Sequence, residues 1–188
     1  MPIIVVYDAC VLHPAPLRDL LVRLGREHLC QVKWTRRILD ECFHSILRGR
    51  PDLSAKQLAR SRMLLESALM DGEVTDSEYL IETLTDMPDP ADRHVVAAAV
   101  RCGAQVIVTR NLKDFPSRVL GLHGMRALSP DEFVLALLDL DLEAVVQVVR
   151  AQASALRHPP LRPAEILDRL HLNGLPRSVA RLRGSLDD

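Results

Sequence analysis

Several acidic side chains stand where their positions could bring them together to do chemistry. Asp8 directly follows the apolar run of residues 3–7, and Asp114 follows a second apolar run at 105–109. Between them, the segment 89–92 (Asp-Pro-Ala-Asp) opens a stretch rich in alanine and valine. A carboxylate at the end of a buried strand loses hydration, which costs several kcal/mol unless a partner compensates. We therefore expect Asp8 to have a partner. Carboxylates gathered at one place would also raise at least one pKa by repulsion.

The apolar runs predict the strands that would position these acids. Residues 3–7 are β-branched and apolar, residues 105–109 form a second such run, and residues 125–128 are a candidate third strand. Helical patterns separate the three, which predicts a parallel sheet covered by helices. Ligands of such sheets bind beyond the carboxyl ends of the strands, where the strand order reverses. Asp8 and Asp114 are both expected at that edge.

Caps and apolar spacing mark the helices. Leu17 to Leu24 has helical spacing that Gly25 would end, and Thr35 and Ser54 are candidate N-caps of the next two helices. A short helix is expected over 79–84, a longer one over 91–102, and Ser129 begins a capping-box pattern. We predict a domain at residues 1–129 and a helical C-terminal extension at 130–188 packed on it.

Taken singly, the acids also have ordinary structural explanations. Asp89 and Asp92 would stabilise the start of any helix, as cap and first-turn residues. Glu41 lies roughly opposite the apolar face of its helix, where a solvated glutamate paired with Arg37, four residues earlier, is expected. Thr109 fits plain strand propensity and Asn111 a turn. Spacing alone does not decide between these roles and a functional one.

The set of motifs together resembles the PIN-domain nucleases, especially the VapC toxins of bacterial toxin-antitoxin pairs. The resemblance spans roughly residues 3–137. It is carried by a strand that ends in Asp, a helical Glu, an Asp-x-x-Asp that opens an alanine-rich helix, and a Val-Thr-x-Asn-x-x-Asp-Phe segment. These are residues 7–12, 38–41, 89–95 and 107–115.

The resemblance implies a three-layer α/β/α sandwich and a metal-dependent endoribonuclease. Its catalytic residues would be Asp8, Glu41, Asp92 and Asp114, with Mg²⁺ or Mn²⁺ held by Asp8, Asp92 and Asp114; hard oxygen ligands suit these ions. Asp89 would be an additional or water-mediated ligand, while Thr109 and Asn111 would support the ligands. A homodimer and a cognate antitoxin are further implied.

Charge and composition limit how RNA could bind. The formal net charge is −1 and aromatic residues make up 3%, so neither a global positive field nor a row of stacking platforms is available. Phosphate contacts must then come from local basic residues around the acids. The candidates are Arg36, Arg37, Arg48, Arg110 and Lys113.

Other classes of protein fit less well. The four cysteines lack C-x-x-C spacing and suit reduced thiols, and no stretch reads as a signal peptide or membrane span, so a cytoplasmic protein is expected. A haloacid dehalogenase type of phosphohydrolase would need an Asp where Cys10 stands. Two alternatives stay open: a housekeeping RNA-processing PIN nuclease and a catalytically silent PIN-like interaction module.

Overall fold

The computed structural model describes residues 2–156 and 160–186. Within these ranges four strands form one parallel sheet in the order β2-β1-β3-β4. The strands are Ile3–Tyr7 (β1), Cys30–Lys33 (β2), Val106–Val108 (β3) and Arg126–Leu128 (β4). The helices are Ala9–Leu12 (α1), Ala15–Arg26 (α2), Arg36–Gly49 (α3), Ala55–Ala68 (α4), Arg93–Cys102 (α5), Ser117–Leu120 (α6), Pro130–Leu140 (α7), Leu142–Ala155 (α8), Pro163–Leu172 (α9) and Pro176–Leu186 (α10). Helices flank the sheet, which confirms the predicted α/β class with a central parallel sheet.

The chain order places a switch point beside β1. From β1 the chain passes to β2 on one side of it, and after α3–α5 it returns to β3 on the other side. Tyr7 at the end of β1 pairs with Val108 at the end of β3, and both are fully buried. The residues that follow these two strands therefore emerge side by side, at the location where open parallel sheets bind ligands.

Strand β2 was not predicted, and its presence corrects the interpretation of Gly25. We expected Gly25 to end α2, but the helix continues to Arg26. A Cβ on Gly25 would lie 2.5 Å from Cγ2 of Val32 in β2. The glycine therefore allows α2 to approach β2 closely, and it does not serve as a helix stop.

The predicted N-caps and the predicted end of α5 agree with the structure. Thr35 and Ser54 accept hydrogen bonds from the N–H groups of Ile38 and Gln57, and Ser129 forms the predicted capping box with Glu132. Gly103 ends α5 in the left-handed conformation, at φ 66°. The predicted short helix at 79–84 is a 3₁₀ turn at Glu78–Thr83, and a second 3₁₀ turn, Pro90–Asp92, leads into α5.

The C-terminal helices pack on the earlier part of the chain. Helices α8 and α9 contact α2, and Gln152 Nε2 in α8 donates a hydrogen bond to the carbonyl oxygen of Pro16 at 2.9 Å. Tyr7 and Phe133 in α7 meet edge to face with ring centroids 5.9 Å apart. The division at residue 129 stays a prediction. Across the described ranges, no helix has the length and apolar character that a membrane crossing requires.

Candidate active site at the carboxyl ends of the strands

Asp8 lies directly after β1 and is held by its neighbours. Its side chain is 7% exposed, and its Oδ2 accepts hydrogen bonds from Thr109 Oγ1 at 2.7 Å and from Cys10 Sγ at 3.0 Å. The partner expected for this carboxylate is thus a pair of neutral donors. Burial, followed by the charge of Asp8, raises the pKa of the Cys10 thiol to about 12, so the thiol keeps its proton and donates it.

Thr109 connects the ends of the two central strands. It follows β3 and is fully buried, and its Oγ1 both donates to Asp8 and accepts from the backbone N–H of Asn111 at 3.0 Å. One hydroxyl therefore fixes the direction of the Asp8 carboxylate and the start of the loop that carries Asp114. From the sequence, Thr109 was predicted only to support the metal-ligand carboxylates.

Asp114 and Asn111 lie together in this loop. The Asn111 side-chain Nδ2 donates to Asp114 Oδ2, and the backbone N–H of Asp114 donates to the carbonyl oxygen of Asn111 at 3.0 Å. Asn111 has φ −104°, which lies outside the left-handed region. Its amide instead orients the carboxylate.

Asp92 has a buried carboxylate oxygen and a raised pKa. Its Oδ2 is buried and has no hydrogen-bond partner among the described residues. Burial, followed by the charges of Asp8, Asp89 and Asp114, raises the pKa of Asp92 to about 6 against the opposing effect of His94. The three aspartates are therefore close enough to repel Asp92. Asp89 itself acts as the expected cap, because its Oδ1 accepts the Ala91 N–H at 2.8 Å.

Glu41 belongs to a different set of contacts. Its carboxylate lies 3.0 Å from Nε2 of His94, whose side chain is almost buried, and 3.2 Å from Nε of Arg37. The Arg37 pair was expected, but the contact with His94 was not. Burial raises the pKa of Glu41, but the hydrogen bonds and charges of His94 and Arg37 outweigh it and leave the pKa below its ordinary value.

His94 is the functional candidate that sequence reasoning missed. It is 4% exposed, its Nε2 lies 3.0 Å from Glu41, and it lowers the pKa of Asp92. It therefore links the glutamate to the aspartate cluster. The signal available in the sequence was its place two residues after Asp92, on the first turn of α5, but its partner lies 53 positions away.

The basic residues predicted to bind RNA differ in whether their side chains already have partners. Arg36 forms an ion pair with Glu73 at 2.7 Å, whereas Arg110 Nη2 donates to the carbonyl oxygen of Asn173 at 2.7 Å, which ties it to the C-terminal helices. Arg48 and Lys113 are exposed. Arg36 and Arg110 therefore already have partners within the protein.

The acids are gathered but do not form a closed cage. Among residues 2–156 and 160–186, no three His, Cys, Asp or Glu side chains surround a common point closely enough to enclose a metal ion. The repulsion on Asp92 nevertheless reports that three other carboxylates act on it. Like charges repel one another where no cation lies between them, which agrees with an open arrangement of the carboxylates.

Comparison with known proteins agrees with this geometry. A PIN domain family model matches residues 4–113, and a VapC50 C-terminal domain model matches residues 130–184. A protein of Mycobacterium tuberculosis (strain ATCC 25618 / H37Rv) named "Putative ribonuclease VapC50" is 46% identical over 92 residues, which are 49% of this chain and 54% of that protein. The similarity thus spans about half the length of each. No solved structure matches the chain significantly. Because the first model covers more than half of the chain, this chain belongs to the PIN-domain family.

Proposed function

We propose that this chain is a metal-dependent endoribonuclease that hydrolyses phosphodiester bonds of RNA. The observation that carries the proposal is the buried, unpartnered Oδ2 of Asp92, whose pKa is raised to about 6 by burial and by the charges of neighbouring aspartates. An acid kept in such surroundings is typical of a functional site, because folding alone gains nothing from it. The printed name of the VapC50 relative supports ribonuclease chemistry.

The donor set fits Mg²⁺ or Mn²⁺. Asp8, Asp92 and Asp114 offer carboxylate oxygens, and their mutual repulsion is relieved when a cation binds among them. These three residues would hold the ion, with Asp89 as an additional or water-mediated ligand. Such an ion supplies a water of lowered pKa and neutralises the charge that develops on the phosphate.

The chain's own residues would orient this chemistry. Thr109 and Cys10 fix Asp8 through the hydrogen bonds to Oδ2, and Asn111 fixes Asp114. Such support of a ligand by a neighbour is generally worth a factor of about 10–100 in metal affinity or activity. We assign these three residues to positioning.

Glu41 would act as a charged acceptor near the attacking water. His94 and Arg37 keep its carboxylate ionised, because they lower its pKa despite partial burial. A carboxylate of low pKa is a weak general base. We therefore assign Glu41 to orient water or an ion through its Oε atoms, and we do not assign it to remove a proton.

The RNA backbone would be held by Arg36, Arg37, Arg48 and Lys113, which are exposed. Arg110 would contribute less, since its guanidinium is engaged with the carbonyl of Asn173. Contacts of this kind position the substrate without reading its sequence. Removing one of them should weaken binding of all RNAs alike.

The biological role we propose is the toxin of a toxin-antitoxin pair in the cytoplasm, acting as a homodimer and inhibited by a cognate antitoxin protein. The match to the VapC50 C-terminal domain and the name of the relative support this role. A housekeeping nuclease would have the same chemistry. A neighbouring short reading frame whose product binds the protein and blocks cleavage would distinguish the toxin.

The test is cleavage of total RNA by protein purified free of partners, in Mg²⁺ or Mn²⁺ and with EDTA as control. Asp8→Asn and Asp114→Asn should each abolish cutting, whereas Asp168→Asn on α9, whose carboxylate pairs only with Arg183 among the described residues, should cut normally. Circular dichroism must show that all variants are folded. Cutting that survives both active-site substitutions would reject the site, and a folded wild type that does not cut would favour a silent interaction module.

A further inference from the structure

A cleft of about 340 Å³ lies beside the Glu41–His94 pair. Its walls are formed by residues 35–37 at the start of α3, by residues 73–78 and Ile81, and by His94. The volume lies at the small end of the range typical of small-ligand sites and can admit one nucleotide-sized group. His94 therefore contacts both the candidate active site and this cleft.

The outer wall is anchored to the sheet. The backbone N–H of Trp34 donates to the carbonyl of Gly72 at 3.0 Å, and the N–H of Val74 donates to the carbonyl of Trp34 at 2.8 Å. A Cβ on Gly72 would lie 2.3 Å from the carbonyl oxygen of Val32, so only glycine permits this approach. The wall is thus held at the carboxyl end of β2, next to the strand ends that carry the acids.

One side of the cleft offers hydrogen-bond donors that could bind a phosphate group. Arg36 and Arg37 each use Nε in an ion pair, with Glu73 at 2.7 Å and with Glu41 at 3.2 Å. Neither guanidinium has a partner for its terminal Nη groups among the described residues. Guanidinium groups bind phosphate oxygens in a forked geometry, so these free groups suit a nucleotide phosphate.

The interior suits a base. Val74 is buried and Ile81 half-buried, and both line the cleft with apolar surface. Buried Nδ1 of His94 has no hydrogen-bond partner among the described residues. Asp76 and Glu78 line the same space with exposed carboxylates. Asp76 Oδ2 accepts a hydrogen bond from the hydroxyl of the preceding threonine at 3.1 Å, whereas the Glu78 side chain has no partner in the described part of the chain. Carboxylates only accept hydrogen bonds, so they favour a base that presents amino donors.

We propose that this cleft is a subsite that binds the nucleotide next to the cleaved bond and selects a base with an exocyclic amino group over uracil. The inference rests on the proposed ribonuclease function and adds to it a substrate preference. Adenine and cytosine offer an amino donor to Asp76 or Glu78, and guanine offers an amino group beside its N1–H. Uracil offers only N3–H, which stands between two carbonyl oxygens that repel an approaching carboxylate. The position beside His94 places the nucleotide next to the acids.

The first test is the sequence profile of the cuts. RNA with a randomised segment is cleaved by the wild type in Mn²⁺, and the new ends are sequenced. We expect one position adjacent to the cut where uracil is depleted on the order of 10-fold, as for a good base contact. Asp76→Asn combined with Glu78→Gln replaces acceptors by amides that donate as well, and should remove or reverse this depletion at that position.

The matched control is Glu143→Gln on α8, where the carboxylate contacts Gln147 and is remote in sequence from the cleft. This control must keep the wild-type profile. A wild type with no position that discriminates against uracil overturns the subsite, and so does a double variant with an unchanged profile.

A binding measurement separates this inference from the proposed function. In the Asp8→Asn variant, CMP and UMP are titrated while the Ile81 methyl signal is followed by NMR. Tighter binding of CMP, abolished by the Asp76→Asn and Glu78→Gln changes, supports the subsite even if the wild type fails to cut RNA. Equal affinity for CMP and UMP, or no response at Ile81, rejects it even if cutting is observed.

Discussion

At the scale of single residues, Asp92 places the needs of stability and of function in conflict. Burial and three neighbouring aspartates raise its pKa to about 6 from the ordinary value of 3.8. Between these two pH values the folded state holds a proton that the unfolded state has released. The stabilisation is complete below about pH 4 and is lost as the pH rises through about 6. At neutral pH the charged form therefore opposes folding.

We predict that Asp92→Asn raises the melting temperature of the metal-free protein at pH 7 while abolishing RNA cleavage. A pKa shift of this size, discounted because Asp92 is partly exposed, changes the free energy of unfolding by about 1 kcal/mol. For a chain of this length that raises the melting temperature by about 2–4 °C. Calorimetry in EDTA from pH 4 to pH 8 measures it. The gain should vanish near pH 4, and Asp86→Asn, an exposed carboxylate, should show none. A gain that is independent of pH would contradict the electrostatic explanation.

Thr109 offers a second prediction at this scale. Thr109→Val keeps the shape of the side chain but removes the donor to Asp8 Oδ2 and the acceptor for the Asn111 N–H. We expect cleavage to fall about 10–100-fold and the free energy of unfolding to fall by about 1–3 kcal/mol. Initial cleavage rates and urea denaturation measure the two effects. Thr109→Ser, which keeps the hydroxyl, should stay within a few-fold of the wild-type rate; an equal loss in both variants would reject the positioning role.

Some contacts of the site residues could be predicted from the sequence and others could not. Asp8 and Asp114 were predictable as neighbours, because strand ends of a parallel sheet meet at one edge. The contact of Glu41 with His94 was not, because it joins two helices whose relative rotation the spacing does not specify. Cys10 was weighed only as a departure from another enzyme class, although its thiol donates to Asp8.

At the scale of elements, helix caps and apolar runs could be predicted from the sequence, whereas a strand without an apolar run could not. Thr35, Ser54 and Ser129 each marked a helix start, since side-chain capping is a local interaction. Strand β2, Cys30–Lys33, alternates apolar and polar residues and has no continuous apolar run, so its identity comes from pairing with β1. Because β2 was not predicted, the contact of Gly25 with Val32 could not be foreseen, and Gly25 was wrongly interpreted as a helix stop.

Two helical glycines should respond in opposite ways to replacement by alanine. In Gly25→Ala the new methyl lies 2.5 Å from Cγ2 of Val32, a buried β-branched side chain with little rotamer freedom, so we expect a loss of about 1–3 kcal/mol. Gly184 in α10 has open space where a Cβ would lie, so Gly184→Ala should gain about 0.5–1 kcal/mol. Urea denaturation of both measures the contrast.

A second-site change tests the cause. Adding Val32→Ala removes the atom that the Gly25→Ala methyl meets, so the double variant should lose less than the sum of the two single variants. Strict additivity would show that the close approach of α2 and β2 is not the source of the loss.

At the scale of the whole molecule, Asp131 joins α7 to α10. It is 7% exposed, and its carboxylate accepts the backbone N–H groups of Arg177 at 3.1 Å and Ser178 at 2.8 Å, together with the Ser178 hydroxyl at 2.6 Å. A side chain 47 positions away thus caps the first turn of α10. This link lies within the C-terminal helices, and the contacts of α8 and α9 with α2 join those helices to the earlier part of the chain, so we expect both parts to unfold together.

We therefore predict that Asp131→Ala lowers the free energy of unfolding by about 3 kcal/mol, because it leaves several buried donors without an acceptor. The control Asp139→Ala removes only an exposed ion pair with Arg181 and should cost about 1 kcal/mol or less. Trp34, the single tryptophan, reports on the first part of the chain, while far-UV circular dichroism reports on all helices. In both variants the two probes should give the same midpoint in urea. A dichroism transition that precedes the Trp34 transition would mean that the C-terminal helices unfold independently, and the predicted extension would then be a separate domain.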